Sequence, residues 1–217
     1  MHDATSRTHE RGRVGRPCSL TAPERQERLL RAAEEAFMEL GFGATSMEHI
    51  ARRAGMSKRT LYSFYPDKST IFTAVVGVLN DFPRNSPLPT TSDKRILVQA
   101  LRQRTIDIAA FAISERQVRL TRLIIAEAIN HPELASLFQD KVVSRAVGYL
   151  VEGMRALQSV EPALKAYDAE WMGMTIYTSS VGNLHLQRLF GTATTEDLFR
   201  VEKRIDSAMG LFGIKPE

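Results

Sequence analysis

Cysteine is almost absent: Cys18 stands alone among 217 residues. A single thiol excludes an intrachain disulfide framework and a cysteine-built structural zinc site, and it fits a reducing, cytoplasmic setting. Long apolar runs are missing too. The stretch Ile106–Ile113 is interrupted by Asp107 and is too short to cross a bilayer, so no membrane partner is expected. The N-terminal residues MHDATSRTHERGR lack the apolar core of a secretory signal. No alternating apolar–polar run is bounded by Asn-Gly or Asp-Gly, which argues against strands. Enzyme signatures are also missing. There is no Walker A string, no G-x-S-x-G, no HExxH and no metal-spaced His/Cys cluster, and the five histidines are scattered. The chain is therefore expected to be no enzyme, with no catalytic residue, no metal and no cofactor.

What remains is an ordinary globular composition, 43% hydrophobic and 25% charged, with a net charge of +4. The charge is uneven. Residues 1–68 carry 12 Lys/Arg against 9 Asp/Glu, and residues 69–217 carry 17 against 16. Four arginines (Arg7, Arg11, Arg13, Arg16) fall in a polar, Gly/Pro-containing arm over residues 1–19. Such an arm suits an anionic partner, and it equally suits a solvated tail.

Helical punctuation fills the rest. Thr21 and Glu24 form a capping box for a helix ending at Gly41, and Thr45 with Glu48 predicts a second box. Gly55 breaks that second helix, Ser57 caps a third, and Pro66 stops it. Asp67 opens a connecting helix over 67–82, followed by a proline-rich linker at 83–92. Long helices then follow over about 93–113, 114–129, 168–190 and 195–212, with another around Val143–Leu157. The 114–129 helix is apolar on nearly every side, which predicts burial all round.

Residues 45–65 carry the most specific pattern: a short helix, a turn at Ala54-Gly55-Met56, and a second short helix. This is a helix-turn-helix, and a plain helical hairpin shares the outline. The outer face of the second helix offers Lys58, Arg59, Thr60, Tyr62 and Ser63, donors suited to phosphates and base edges. The run from Gly41 to Lys68 (GFGATSMEHIARRAGMSKRTLYSFYPDK) resembles the DNA-binding region of TetR/AcrR-type transcriptional regulators. The resemblance implies a homodimer with two recognition helices in successive major grooves, and an effector pocket in the C-terminal helices. It further implies phosphate contacts from Thr45 and Ser46, groove contacts from Lys58, Arg59 and Thr60, and backbone contacts from Tyr62 and Lys68; Ser57, capping a helix start that offers amides and a positive dipole end, is counted with these DNA-binding residues. Phe64 departs from the usual polar residue and is expected to pack. Arg59 is the candidate for base choice, because arginine can donate two hydrogen bonds to guanine. In the arm, Gly15-Arg16-Pro17 resembles an AT-hook core, which would send Arg13 and Arg16 into a minor groove.

Further on, Arg122–Ala135 resembles the C-terminal domain of AefR-like members of the same group. The last two long helices are the expected dimer interface. The final one has an apolar seam at heptad-like spacing, which an intramolecular contact would also explain, and its predecessor carries Gly173, Ser179, Ser180 and Gly182. Polar or aromatic intrusions at Arg104, Arg122, Glu127, Tyr149, Trp171 and Tyr177 are candidates for the effector pocket. The expected architecture is all-α: a basic arm (1–19), a three-helix DNA-binding module (20–66), the connecting helix, the linker, and a helical effector-binding and dimerisation domain (93–217). The expected function is a cytoplasmic, ligand-responsive repressor that binds a palindromic operator in double-stranded DNA. The alternative is an architectural DNA-binding protein whose C-terminal region only dimerises.

Overall fold

A computed structural model describes residues 20–78, 87–194 and 200–215. Every regular element among them is helical. Helix α1 (Ala22–Leu40) starts at the expected box, with the Thr21 side chain accepting from Glu24 N and Glu24 reaching back. Its buried stripe, Leu29, Leu30, Ala33, Ala36 and Phe37, faces α2 (Met47–Ala54) and α4 (Lys68–Val78). Helix α3 (Lys58–Phe64) anchors to this group through Leu61, which is fully buried. Phe37, Phe42 and Phe72 form a ring cluster with centroids 5.2–5.5 Å apart. Each such pair adds about 0.5–1.5 kcal/mol beyond its area.

The connecting helix is described to Val78 and the proline-rich segment from residue 87; residues 79–86 lie outside the described region. Helix α5 (Lys94–Ile113) is capped by Asp93, and α6 (Glu115–Glu127) by Ser114. Helix α7 (Pro132–Phe138) runs through a π turn (Gln139–Val143) into α8 (Ser144–Val160). The predicted helix at 168–190 is likewise one run of three parts: α9 (Ala169–Tyr177), a π turn (Thr178–Gly182) and α10 (Asn183–Phe190). Helix α11 (Val201–Gly210) is the described part of the last predicted helix; residues 195–199 lie outside.

Two hydrophobic cores result. The larger joins α5, α8, α9, α10 and α11. The other contains the N-terminal helices together with Leu120 and Ile124 of α6 and Leu134 of α7. Helix α6 is therefore built into the base of the N-terminal module.

Three expectations change. Helix α6 is not buried all round, since Ile125 is 59% and the following Ile129 91% exposed, and only the face with Gln117, Val118, Leu120, Thr121 and Ile124 turns inward. The seam Val201, Ile205, Ala208 and Phe212 lies in the chain's own core. Gly173 serves a contact within the subunit: a Cβ there would lie 2.9 Å from Val151 Cγ2 and 3.2 Å from the Val151 nitrogen, so α9 can close on α8 only without a side chain.

Candidate nucleic-acid interface

The turn between α2 and α3 is fixed by Gly55. Its φ of +63° lies in the left-handed region, and its N–H donates to the carbonyls of Ala51 and Arg52. Ile50, Ala51, Ala54 and Leu61 bury the inner faces of the pair. The outer face of α3 stays open. Ser57, Lys58, Arg59, Tyr62 and Ser63 are exposed, Tyr62 at 51%, and Thr60 is half-buried.

Local bonds shape this face. Ser57 Oγ accepts from Thr60 N at 3.1 Å and lies 2.9 Å from Thr60 Oγ1, so the cap expected of Ser57 is in place. Lys58 Nζ pairs with Glu48 Oε2 of α2 at 2.9 Å, which holds the Glu48 carboxyl below the usual carboxylate range. Arg59 has no hydrogen-bond or ion-pair partner among the described residues, so its guanidinium is free for another molecule. Phe64 is half-buried against the N-terminal core, while Tyr65 is buried with its hydroxyl accepting from Gln26 Nε2 at 3.1 Å.

Two expected phosphate contacts are placed differently. Thr45 is 2% exposed, and its hydroxyl donates to the carbonyls of Gly41 (2.6 Å) and Ala36 (3.1 Å). That hydroxyl is spent locking the α1–α2 turn. The cap of α2 is Ser46 instead, whose Oγ accepts from His49 N at 3.2 Å while its own N–H donates to His49 Nδ1 at 3.4 Å. The Thr45/Glu48 box is thus one residue out of register, because Thr45 reaches inward and leaves the exposed position to Ser46. Lys68 is the second case. Its Nζ donates to the carbonyls of Phe42 (2.7 Å) and Gly43 (3.0 Å) and lies 4.5 Å from the Phe42 ring centroid. Burial pulls its pKa down, and Glu127 opposes that shift. Arg13, Arg16 and Cys18 lie outside the described residues.

The same turn meets α6. Glu127 Oε1 accepts from Gly43 N at 3.3 Å, and the His131 ring stands edge-on to Phe42 at 4.8 Å. At the other end of α6, Arg116 grips Glu34 of α1 through two 2.5 Å bonds. Helix α6 is therefore fastened to the N-terminal module at both ends.

A cavity of about 300 Å³ lies where α6 meets α5, α8 and α10. Its walls are mainly apolar, and Gln117, Thr121, Tyr177 and His185 are its polar residues. Burial raises the Tyr177 hydroxyl's pKa and lowers that of the His185 imidazole. Of the six sequence candidates for a pocket, Tyr177 alone lines this space. Arg104 is buried elsewhere, with Nη1 donating to the Tyr149 carbonyl (3.1 Å) and to Glu152 (2.8 Å), and its guanidinium 5.5 Å from the Tyr149 ring. Arg122 caps the end of α10 through the Leu189 and Arg188 carbonyls. Trp171 is 54% exposed, in a ring cluster with Tyr167 and Phe212. Gln117 and His185 were missed. Gln117 stands four residues before Thr121 on the apolar face of its helix, and that spacing was the available signal.

Residues 29–75 match the tetR family of bacterial regulatory proteins, and residues 99–213 match the C-terminal domain of AefR-like transcriptional repressors. The HTH-type transcriptional activator FasR of Mycolicibacterium smegmatis is 31% identical over 167 residues, covering 75% of this chain and 71% of that protein. The HTH-type transcriptional repressor BepR of Brucella suis is 36% identical over 56 residues, 26% of this chain and 27% of that one. Among solved structures, the flavonoid-responsive regulator FrrA superposes with a TM-score of 0.68 at 28% identity, covering 88% of this chain and 96% of that one. No helix among the described residues is long and apolar enough to cross a membrane.

Proposed function

The chain belongs to the TetR family of helix-turn-helix transcriptional regulators, and from that premise we propose that it is a cytoplasmic, ligand-responsive repressor acting as a homodimer on a palindromic operator. The observation that carries the DNA part is the open face of α3. Leu61 pins the helix from beneath, while Arg59 and Tyr62 stand exposed and Arg59 has no competing partner among the described residues. On this reading Arg59 reads a base edge, and Ser46, Ser57, Lys58, Thr60 and Tyr62 supply phosphate and groove contacts. Lys58 exchanges Glu48 for a phosphate on binding. Arg13 and Arg16 are proposed to follow the minor groove beside the site. Thr45 and Lys68 act one step back, by holding the turn that presents α2.

Dimerisation is assigned to the outer faces of α9–α10 and α11. Met174, Leu186, Phe190 and Leu211 leave large apolar surface exposed there. A two-fold protein matches a two-fold operator. The AefR-like repressor match over residues 99–213 supports repression as the sign, and the response of FrrA to a small molecule supports an effector.

Helix α6 supplies the coupling. Gln117 and Thr121 line the cavity, and Glu127 holds the α1–α2 turn about 15 Å further along the same helix. An effector that favours a shifted α6 must weaken operator binding by the same factor that the operator weakens effector binding. Selection of bound duplexes from a random pool tests the assignment. The expected product is an inverted repeat with half-site centres about 34–36 Å apart. No enrichment over the starting pool would refute it.

A further inference from the structure

Among the described residues, four buried side-chain atoms lack a hydrogen-bond partner: Gln117 Oε1, Ser180 Oγ, His185 Nε2 and Gln187 Oε1. Two of them, Gln117 Oε1 and His185 Nε2, belong to side chains lining the cavity beside α6. Gln117 is 2% exposed, and no protein group among the described residues meets its amide oxygen. A buried acceptor that no protein group meets costs free energy, and it calls for a water or a ligand to satisfy it. Thr121 does not satisfy it, because its hydroxyl donates to the Gln117 main-chain carbonyl at 2.9 Å.

The walls narrow the choice further. No Lys, Arg, Asp or Glu lines the cavity among the described residues. A carboxylate, phosphate or ammonium entering it would lose hydration with no countercharge in return. Ile108, Phe111, Phe138, Val142 and Leu189 reward apolar surface instead. Both π turns also bear on this space: Val142 and Val143 of the first line it, and Tyr177 immediately precedes the second. Such turns are concentrated at functional sites, where they re-aim side chains out of helical register.

We propose that this cavity takes an uncharged, mainly apolar compound bearing a hydroxyl that donates to Gln117 Oε1, with a second hydrogen-bonding atom meeting His185 Nε2. This class rests on the reading of the chain as a ligand-responsive regulator and specifies what it responds to. Size agrees: about 300 Å³ sits at the small end of ligand pockets.

Three probes sharing one ring system test the class by calorimetry on the full chain without DNA: 2-naphthol, naphthalene and 2-naphthoate. 2-Naphthol is expected to bind roughly tenfold more tightly than naphthalene, and 2-naphthoate at least roughly tenfold more weakly than 2-naphthol. Gln117→Met keeps the side chain's length and removes the acceptor. It should bring 2-naphthol and naphthalene within about twofold of each other while raising the ligand-free melting temperature by about 2–4 °C, since the orphan is gone. A merely structural glutamine would instead lower that temperature. His185→Phe is the second variant; 2-naphthol has a single polar atom, so its preference over naphthalene should survive there, which separates loss of the Gln117 acceptor from a general disturbance of the cavity. Equal binding of 2-naphthoate and 2-naphthol, no binding of any probe, or discrimination surviving Gln117→Met would overturn the proposal. Because the heats are read without DNA, the ligand class can fail while operator binding stands, and the reverse.

Discussion

Glu127→Ala cuts the link between the end of α6 and the turn that presents α2. The carboxylate accepts one long bond, 3.3 Å from Gly43 N, at a partly exposed site, which is about 0.5–1 kcal/mol. It also faces the half-buried Lys68 ammonium, whose pKa burial lowers and Glu127 raises. Losing that countercharge adds about 0.5–1 kcal/mol after allowance for solvent screening. The sum, about 1–2 kcal/mol, corresponds to a melting temperature lower by about 3–6 °C. The decisive readout is local. Amide exchange in peptides covering residues 41–49 should quicken about 5–30-fold, the same free energy expressed as an opening constant. Peptides within α8, from Ala146 to Leu157, should keep their wild-type rates. Unchanged exchange at 41–49, or equal acceleration in both regions, would refute the idea that α6 holds this turn.

Other outcomes follow from the same geometry. Arg59→Ala should relax preference at one base pair per half-site by about 1–3 kcal/mol, measured by anisotropy on matched and mismatched duplexes. Equal loss on operator and random DNA would make Arg59 a phosphate contact only. Gly55→Ala forces a left-handed alanine whose Cβ lies 3.2 Å from Arg28 Nη2, so stability should fall by about 1–2 kcal/mol in urea titration. An unchanged midpoint would show that the turn is not held there. For His185, the folded chain keeps the imidazole below its ordinary 6.5, so on acidification the unfolded chain binds that proton first. Stability should therefore drop as pH falls through about 6.5, and His185→Phe should flatten the melting curve against pH in that window. A slope that survives the substitution would assign the proton elsewhere.

The N-terminal module was largely legible because its signals are local. Thr21 with Glu24, Gly55 and Ser57 act within a few residues, and all three stand where their types require. The Thr45/Ser46 exchange shows the limit: both can cap, and only the depth of the turn under Phe42 decides which one faces solvent. Lys68 misled for a related reason, since a cation at a helix start gives no sign that two carbonyls 25 and 26 residues earlier will hold it. The C-terminal helices were readable as helices but not as surfaces. Apolar spacing marks a seam without saying whose, so Val201, Ile205 and Phe212 fit a partner in sequence and their own core in space. The π turns leave no comparable mark, and each shifts the register beyond it. Arg104, Arg122 and Glu127 drew attention as polar intrusions, yet each is satisfied by an ordinary structural bond. Gln117, by contrast, stands out through a protein partner it does not have, which only the folded structure reveals.

On the proposed reading, the exposed face of α3 chooses the DNA sequence. The most direct measurement of that choice compares binding of the selected duplex and a scrambled one, over a range of salt, by the native chain and by a variant carrying Lys58→Ala, Arg59→Ala and Tyr62→Ala. The native chain should prefer its site by at least about a thousandfold, and the variant should bind both duplexes alike with melting behaviour intact. A variant that keeps the native preference would place sequence choice on another surface and contradict the account.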